Sequence, residues 1–483
     1  MATIQGGKRR QKKRGSTRRV RARRVRIGAA DPRLTPAAGV EAVREADRVL
    51  GLTRALDQGI GAVKERARGL SGGQLLVSMA CAQLAGADHL VGLDRRRADT
   101  PGQVLEPVPT PASTTAAGIA KRFTGDHLTG IETGIGAVNT EFVSRLPLVR
   151  RTSLLKVATI DGDATDVEVY GRTKEKAAHA YTGALTLRPH IGYWAEAGVP
   201  VAAELMGGTE DPRANCVELL ERAITALPAG VQQVRARWDA GYFAAELAAA
   251  CVERGVQFAI GAKRTTPVFR AATRVPDNAW IPAVGMEDTE VTVIDYLPGP
   301  WPQEANIACI ARRTRIPLEK IPTGRARKRR TVPTDQLTLA LEGRIDAVYG
   351  YSFVLTNLDV AEPEQLAEVE FWYRHRTDIE ALNKDAKHGA GLIHLPSASH
   401  AVNSVWMWAG LLGCAISSWI QEITGIDAGN GRGRRTVARL ARELITVPAR
   451  ITHRAGTIHL RLPPGPQLLA TVLPALQRLP RPG

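Results

Sequence analysis

The chain has 483 residues, enough for two to four domains at about 150 residues each. Its hydrophobic fraction of 44% is ordinary for a protein that buries real cores. Lys and Arg number 65 against 48 Asp and Glu, a net charge of +17 with a pI near 10.0, which points to a polyanionic partner, nucleic acid or an anionic membrane surface. Five cysteines with no CxxC pair argue against a zinc site and for a reducing compartment.

The charge is concentrated at the start. Residues 1–27 hold twelve Lys or Arg, from Lys8 to Arg26, and no acid precedes Asp31. Residues 1–28 are therefore expected to be a disordered basic arm, without the apolar segment of a secretory signal. Residues 29–150 follow as a helical region: VEAVREADRVLGLTRALDQ has apolar residues at three- and four-residue spacing, and TTAAGIAKRF is a short helix with Ser113 or Thr114 as cap. A helix-turn-helix around Thr124-Gly125 competes there with a plain helical bundle, and the basic arm tilts the reading towards DNA binding. LSGGQ at residues 70–74 matches a signature peptide of ATP-hydrolysing transporters, but no GxxxxGK[ST] accompanies it. It reads as a helix start capped by Ser71, and no nucleotide cofactor is expected.

From residue 151 the texture changes. LLKVATID, AYTGALTLRPHIGYW and VPVAAELMGG read as strands. CVELLERAITALP reads as a helix, VQQVRARWD as a strand, AAELAAACVERG as a helix and VQFAIGAK as a strand. Three strands, then helix, strand, helix, strand is the order of an RNase H-like α/β domain over residues 151–265. Residues 266–350 break the rhythm with short strands and basic loops. Among them Arg325, Arg327, Lys328, Arg329 and Arg330 form an expected exposed run that contacts DNA. Residues 351–430 resume the α/β pattern with the strand YSFVLTNL and a long helix starting near Glu362. The uncharged stretch from Gly389 to Gln421 is long enough to span a membrane, but its Asn and Ser residues and the lack of a second span favour a buried core helix. The protein is read as cytoplasmic, and residues 431–483 as a tail for dimerisation or DNA contact.

The chemistry sits on the helix after Glu362. Tyr373, Arg376, Glu380 and Lys387 stand at i, i+3, i+7 and i+14, which on one continuous helix places them within an arc of about 60°. Such a stripe is often a solvated face. Here Phe371, Trp372, Ile379 and Leu382 imply partial burial, and a buried Glu among cations is costly unless it binds metal or another charge. Metal partners are available at strand ends. Asp161 and Asp163 alternate onto one face of their strand, and Asp239 ends another at a glycine turn. Three carboxylates from two strand ends and one helix can cage two hard cations, which activate a water or a 3′-hydroxyl and steady the leaving oxygen of a phosphodiester.

The helix, YxxRxxxExxxxxxK, resembles the YREK signature of DDE transposases from bacterial insertion sequences. Asp163-Ala164-Thr165 resembles that family's first carboxylate motif, and Asp239-Ala240-Gly241-Tyr242 its second. The resemblance spans roughly residues 150–480. It implies an RNase H-like catalytic core interrupted by a β-rich insertion, with a helical N-terminal DNA-binding region. It also implies two Mg²⁺ ions (Mn²⁺ can substitute) on Asp163, Asp239 and Glu380, with Asp161 as an alternative first ligand. Tyr373, Arg376 and Lys387 are implied to grip DNA phosphates, and an insertion-domain Trp, Trp280 or Trp301, to stack on a flipped base. His179, His190, His375 and His388 are read as structural or DNA-facing. The expected partners are double-stranded DNA, as transposon ends and target, and a second protomer, since terminal repeats come in pairs. A nuclease of the same fold that cuts without joining, and a non-catalytic DNA-binding descendant, are the competing readings.

The arm carries its own test. Deleting residues 1–27 is expected to weaken DNA affinity and flatten its dependence on salt, because fewer counterions are released on binding. An unchanged slope of log affinity against log salt in filter binding rules out the arm as a DNA contact.

Overall fold

The computed structural model describes residues 25–65, 68–180, 182–321, 331–426 and 433–482. Most of the basic arm and the run from Arg325 to Arg330 lie outside the described residues. The chain divides into residues 1–32, of which 25–30 are exposed and without regular structure, and residues 33–483.

The strand Val157–Ala164 is buried from Ala158 to Gly162, so its backbone N–H and C=O groups need a partner strand on each edge. It lies inside a sheet that has eleven strands among the described residues. Across that sheet the order runs Val199–Gly207, Leu185–Trp194, Val157–Ala164, Gln233–Trp238, Gln257–Gly261. The first two junctions are antiparallel and the next two parallel. The described residues of 266–350 form no separate sheet: Ala347–Thr356, Ala308–Pro317, Thr289–Ile294 and Ile281–Pro282 extend the same one, all antiparallel. The helix Cys216–Thr225 packs on the first three strands, and the long apolar helix His400–Thr424 packs on Val199–Gly207 and on the helix Gly72–Leu84. His400–Thr424 is long and apolar enough to cross a membrane, but 89% of its most apolar window is buried inside the protein.

The expected N-terminal helices are present from Val40–Leu50 to Leu148–Lys156. Ser71 caps Gly72–Leu84 with a reciprocal bond to Gln74, so LSGGQ is the helix start that the sequence suggests. The helix Ser113–Ala120 differs in its start. Ala112 occupies the cap position, and the Ser113 N–H and Oγ–H instead donate to Asp94 at 3.0 and 2.6 Å. Its partner runs twenty residues, Gly125–Ser144, and its middle is built into the core. Glu132 accepts from the Ala203 N–H at 3.0 Å and pairs with Arg222, while Asn139 donates to the Ala226 carbonyl at 3.0 Å. At the other end of the chain the hairpin Ala449–Arg454/Thr457–Arg461 pairs with Leu34–Thr35, and Leu469–Gln477 packs on Val40–Leu50.

Glycine makes one of these contacts possible. Helices Leu52–Ile60 and Gly125–Ser144 approach so closely that a Cβ on Gly130 would lie 2.4 Å from the Gly59 carbonyl oxygen, with backbone rather than a movable side chain in the way. Gly130→Ala is therefore expected to cost about 1–3 kcal/mol in urea unfolding. Gly118→Ala, on the exposed face of Ser113–Ala120 with nothing within 4 Å of its Cβ, is expected to be neutral or to stabilise by up to about 1 kcal/mol. Equal effects at the two positions count against this packing.

Candidate active site

Parallel pairing decides where the first two acids go. Val157–Ala164 and Gln233–Trp238 run side by side with Asp161 opposite Arg237 and Gly162 opposite Trp238, so Asp163 and Asp239 emerge together at the carboxyl edge of the sheet. Gly162, between the two aspartates, has to be glycine: a Cβ there would lie 1.7 Å from the Trp238 ring. Asp239 opens a tight turn by accepting from the Gly241 N–H at 2.8 Å.

Asp161 and Asp163 share a face, but their partners differ. Asp161 is 0% exposed, and both its oxygens accept from one guanidinium, Arg237 Nε at 2.6 Å and Nη2 at 2.7 Å. Burial pushes its carboxyl up to about 7 against the pull of Arg237. Asp163 keeps an 18% exposed side chain. It accepts from Asn383 Nδ2 at 2.7 Å and lies 3.9 Å from Arg376 Nη1. Burial pushes its carboxyl up to about 6; Arg376 opposes that shift, and the charges of Asp239 and Glu380 add to it. Asp163 is therefore within electrostatic reach of both Asp239 and Glu380.

The expected single helix is two. Pro363–Arg374 ends, and Thr377–Gly389 starts with Arg376 at its cap position. Between them the N–H groups of His375 and Arg376 reach back three residues, to Trp372 and Tyr373, in place of the α-helical four. Tyr373 thus belongs to one helix, and Glu380 and Lys387 to the next. The cause lies in the sheet: Arg237 Nη1 donates to the Trp372 carbonyl at 2.6 Å and its guanidinium stacks 5.2 Å from the Trp372 ring, which satisfies the end of the first helix.

The four signature side chains still converge on the carboxylate edge. The Tyr373 hydroxyl donates to the Trp238 carbonyl at 3.2 Å, and Gly261 makes room for it, since a Cβ there would come 2.7 Å from the phenol oxygen and from Ala240 N. Burial pushes the Tyr373 phenol up to about 12. Arg376 Nη2 lies 3.5 Å from Glu380, whose side chain is 62% exposed, and its buried Nη1 makes no hydrogen bond. Lys387 donates to Thr165 Oγ1 at 2.7 Å and to the Asp166 carbonyl at 2.8 Å, and burial lowers its ammonium from the usual range. Here Tyr373 and Lys387 spend their donors on protein oxygens flanking the two aspartates.

Three acids offering oxygen ligands, backed by a buried Asn, form a donor set for a hard divalent cation. Among the described residues the three acids do not gather all their ligand oxygens within 4.8 Å of one another, and Arg376 reaches both Asp163 and Glu380. Other candidates fall elsewhere. Trp280 is buried under Arg313, 4.3 Å from its ring, and Trp301 is buried against Phe243 and Phe258, so neither presents a face to a base in this conformation. His179 and His375 bond nearby carbonyls, and His190 is buried against Glu204 and Tyr242. Sequence reasoning missed Arg237, Gly261 and Asn383. Of these only Asn383 left a signal, at i+3 from Glu380 and i−4 from Lys387 on the same helix face.

The family model for the transposase DDE domain group 1 matches residues 17–320, which include Asp163 and Asp239 and end before Glu380. No curated protein matches. A cryo-EM structure of the piggyBac transposase synaptic complex with hairpin DNA is similar at 9% identity and a TM-score of 0.38, covering 84% of this chain and 78% of that one.

The two aspartates are expected to separate in stability measurements. Arg237→Ala strands the buried Asp161 charge and is expected to cost about 3–5 kcal/mol in chemical denaturation. Asp163→Asn removes a carboxylate whose ionisation burial opposes, and is expected to leave the metal-free protein as stable or more so. A large loss from Asp163→Asn together with a small one from Arg237→Ala reverses the assignment of structural and functional acid.

Proposed function

The chain belongs to the transposase DDE domain group 1 family, and from that premise we propose that it is a metal-dependent transposase that cuts DNA at transposon ends and joins the freed 3′-hydroxyls to target DNA. The observation that carries this reading is the parallel strand pair that delivers Asp163 and Asp239 to one sheet edge, within electrostatic reach of Glu380. The strand order 199–207, 185–194, 157–164, 233–238, 257–261, antiparallel and then parallel, supports reading residues 151–265 and 351–430 as an RNase H-like core. On this reading residues 266–350 are an insertion that lengthens the same sheet.

In this scheme Asp163, Asp239 and Glu380 hold two divalent ions, Mg²⁺ or Mn²⁺, and Asp161 is left out because Arg237 already takes both its oxygens. When bound, such ions polarise the phosphodiester and lower the pKa of the attacking water or hydroxyl. Asn383 holds Asp163 in its rotamer by donating to Oδ2. Arg376 places positive charge beside Asp163 and Glu380, and with those acids turned to the metal ions its guanidinium would serve a phosphate oxygen. Lys387 fixes the turn just past Asp163 and offers an ammonium at the same edge, and Tyr373 supports the Asp239 turn. Two protomers bridging two inverted repeats would form the working unit, with the arm and the Arg325–Arg330 run as further DNA contacts.

Glu380→Ala and Asp239→Ala are each expected to reduce Mg²⁺-dependent cleavage of a terminal-repeat duplex to background while leaving duplex affinity within a few-fold. Normal cutting by Glu380→Ala would falsify the site. A strand-transfer assay with a precut 3′-hydroxyl end separates a transposase from a nuclease, since only the former yields joined product.

A further inference from the structure

Among the described residues, one group of three His, Cys, Asp or Glu side chains gathers its ligand atoms within 4.8 Å of one another: Asp88, His89 and His394. The group lies outside the carboxylate edge and comes from two distant parts of the chain. Asp88 and His89 occupy the loop between helices Gly72–Leu84 and Val91–Ala98, and His394 lies in the segment joining the Glu380 helix to His400–Thr424. His89 Nδ1 is 2.8 Å and His394 Nε2 is 3.8 Å from the Asp88 carboxylate, on different oxygens. The two imidazole rings stand 4.6 Å apart, tilted by 33°.

The backbones that carry the three side chains are tied together from beneath. Gln83 donates to the Trp406 carbonyl at 3.1 Å, and the Trp406 indole donates to the Gly391 carbonyl at 3.2 Å. Gly391, at φ +68°, sits so close to the first loop that a Cβ would lie 2.6 Å from the Ala87 oxygen. Asp88 and His89 are exposed and His394 half-buried, leaving a side open to solvent for a fourth ligand.

We propose that Asp88, His89 and His394 bind one first-row transition-metal ion of the zinc class, clasping the 85–90 loop to the segment that follows the Glu380 helix. Two imidazole nitrogens and one carboxylate oxygen suit Zn²⁺, Co²⁺ or Ni²⁺, with water in the remaining position, and do not suit Mg²⁺, which demands oxygen. Binding takes the lone pairs of neutral imidazoles, so His89 would carry its proton on Nε2 with Nδ1 on the metal, and a proton is released only where an imidazole was charged. The site is independent of the proposed transposase chemistry.

Co²⁺ is the probe, added to the full chain in excess Mg²⁺ and followed by calorimetry and by its visible absorption. The wild type is expected to take up one Co²⁺ insensitive to Mg²⁺, with a melting temperature that rises as Co²⁺ is added. His89→Ala/His394→Ala is expected to weaken that binding by well over about tenfold and to lose the thermal shift, while melting as the wild type does in chelator. Glu380→Gln is expected to leave it unchanged. Undiminished binding by the double histidine variant, loss of binding in Glu380→Gln instead, or no uptake by the wild type each overturns the proposal.

Discussion

A carboxylate taken fully out of water has to be given a cation, and around the one given to Asp161 the rest of the site is arranged. Arg237 stands opposite Asp161 on the neighbouring parallel strand and spends two donors on its two oxygens. A third donor, on Nη1, goes to the Trp372 carbonyl. One guanidinium thus satisfies a buried charge in the sheet and the exposed end of a helix dipole above it, where a cation is favourable. Without that contact, nothing in the sequence from Phe371 to Ala381 would stop the helix, for it contains neither Gly nor Pro.

The break has a consequence for geometry. On an unbroken helix Tyr373 and Glu380 would be two turns apart on one stripe, pointing the same way. Ending the first helix at Arg374 lets Tyr373 stay with the Asp239 turn, through the Trp238 carbonyl and the space left by Gly261. The second helix is then free to lay Asn383 on Asp163 and Lys387 on Thr165. The spacing of the four residues therefore serves two segments with separate attachments to the same sheet edge.

Much of this was legible in the sequence, for identifiable reasons. Strands such as VATID and VQFAIG are short β-branched or aromatic runs bounded by turn residues, and they appear close to where the pattern puts them. Asp163, Asp239 and Glu380 stand out in the sequence because two of them end strands and the third lies in the YxxRxxxExxxxxxK pattern. What could not be read was anything set by pairing across the sheet. Asp161 and Asp163 both alternate onto one face, and only the register opposite Arg237 tells the structural acid from the free one. Trp280 and Trp301 read equally well as stacking platforms, and their burial under Arg313 and against Phe243 depends on how the insertion strands dock. The His/Asp cluster was invisible for the same reason, since Asp88 and His394 lie some three hundred residues apart and no spacing rule joins them.

Arg376 gives the carboxylate edge a definite resting state. Burial and the nearby charges of Asp239 and Glu380 disfavour the ionised form of Asp163, and a cation beside it opposes them. Arg376 supplies positive charge without binding any acid tightly: its contacts with Asp163 and Glu380 are 3.9 and 3.5 Å, and one of its buried nitrogens has no hydrogen bond. Arg237, by contrast, grips Asp161 at 2.6 and 2.7 Å and is committed. A cation held loosely can be displaced; one held bidentately cannot be without stranding a buried charge. The difference between these two arginines separates Asp161, a carboxylate tied into the scaffold, from Asp163, beside which the cation is held only loosely.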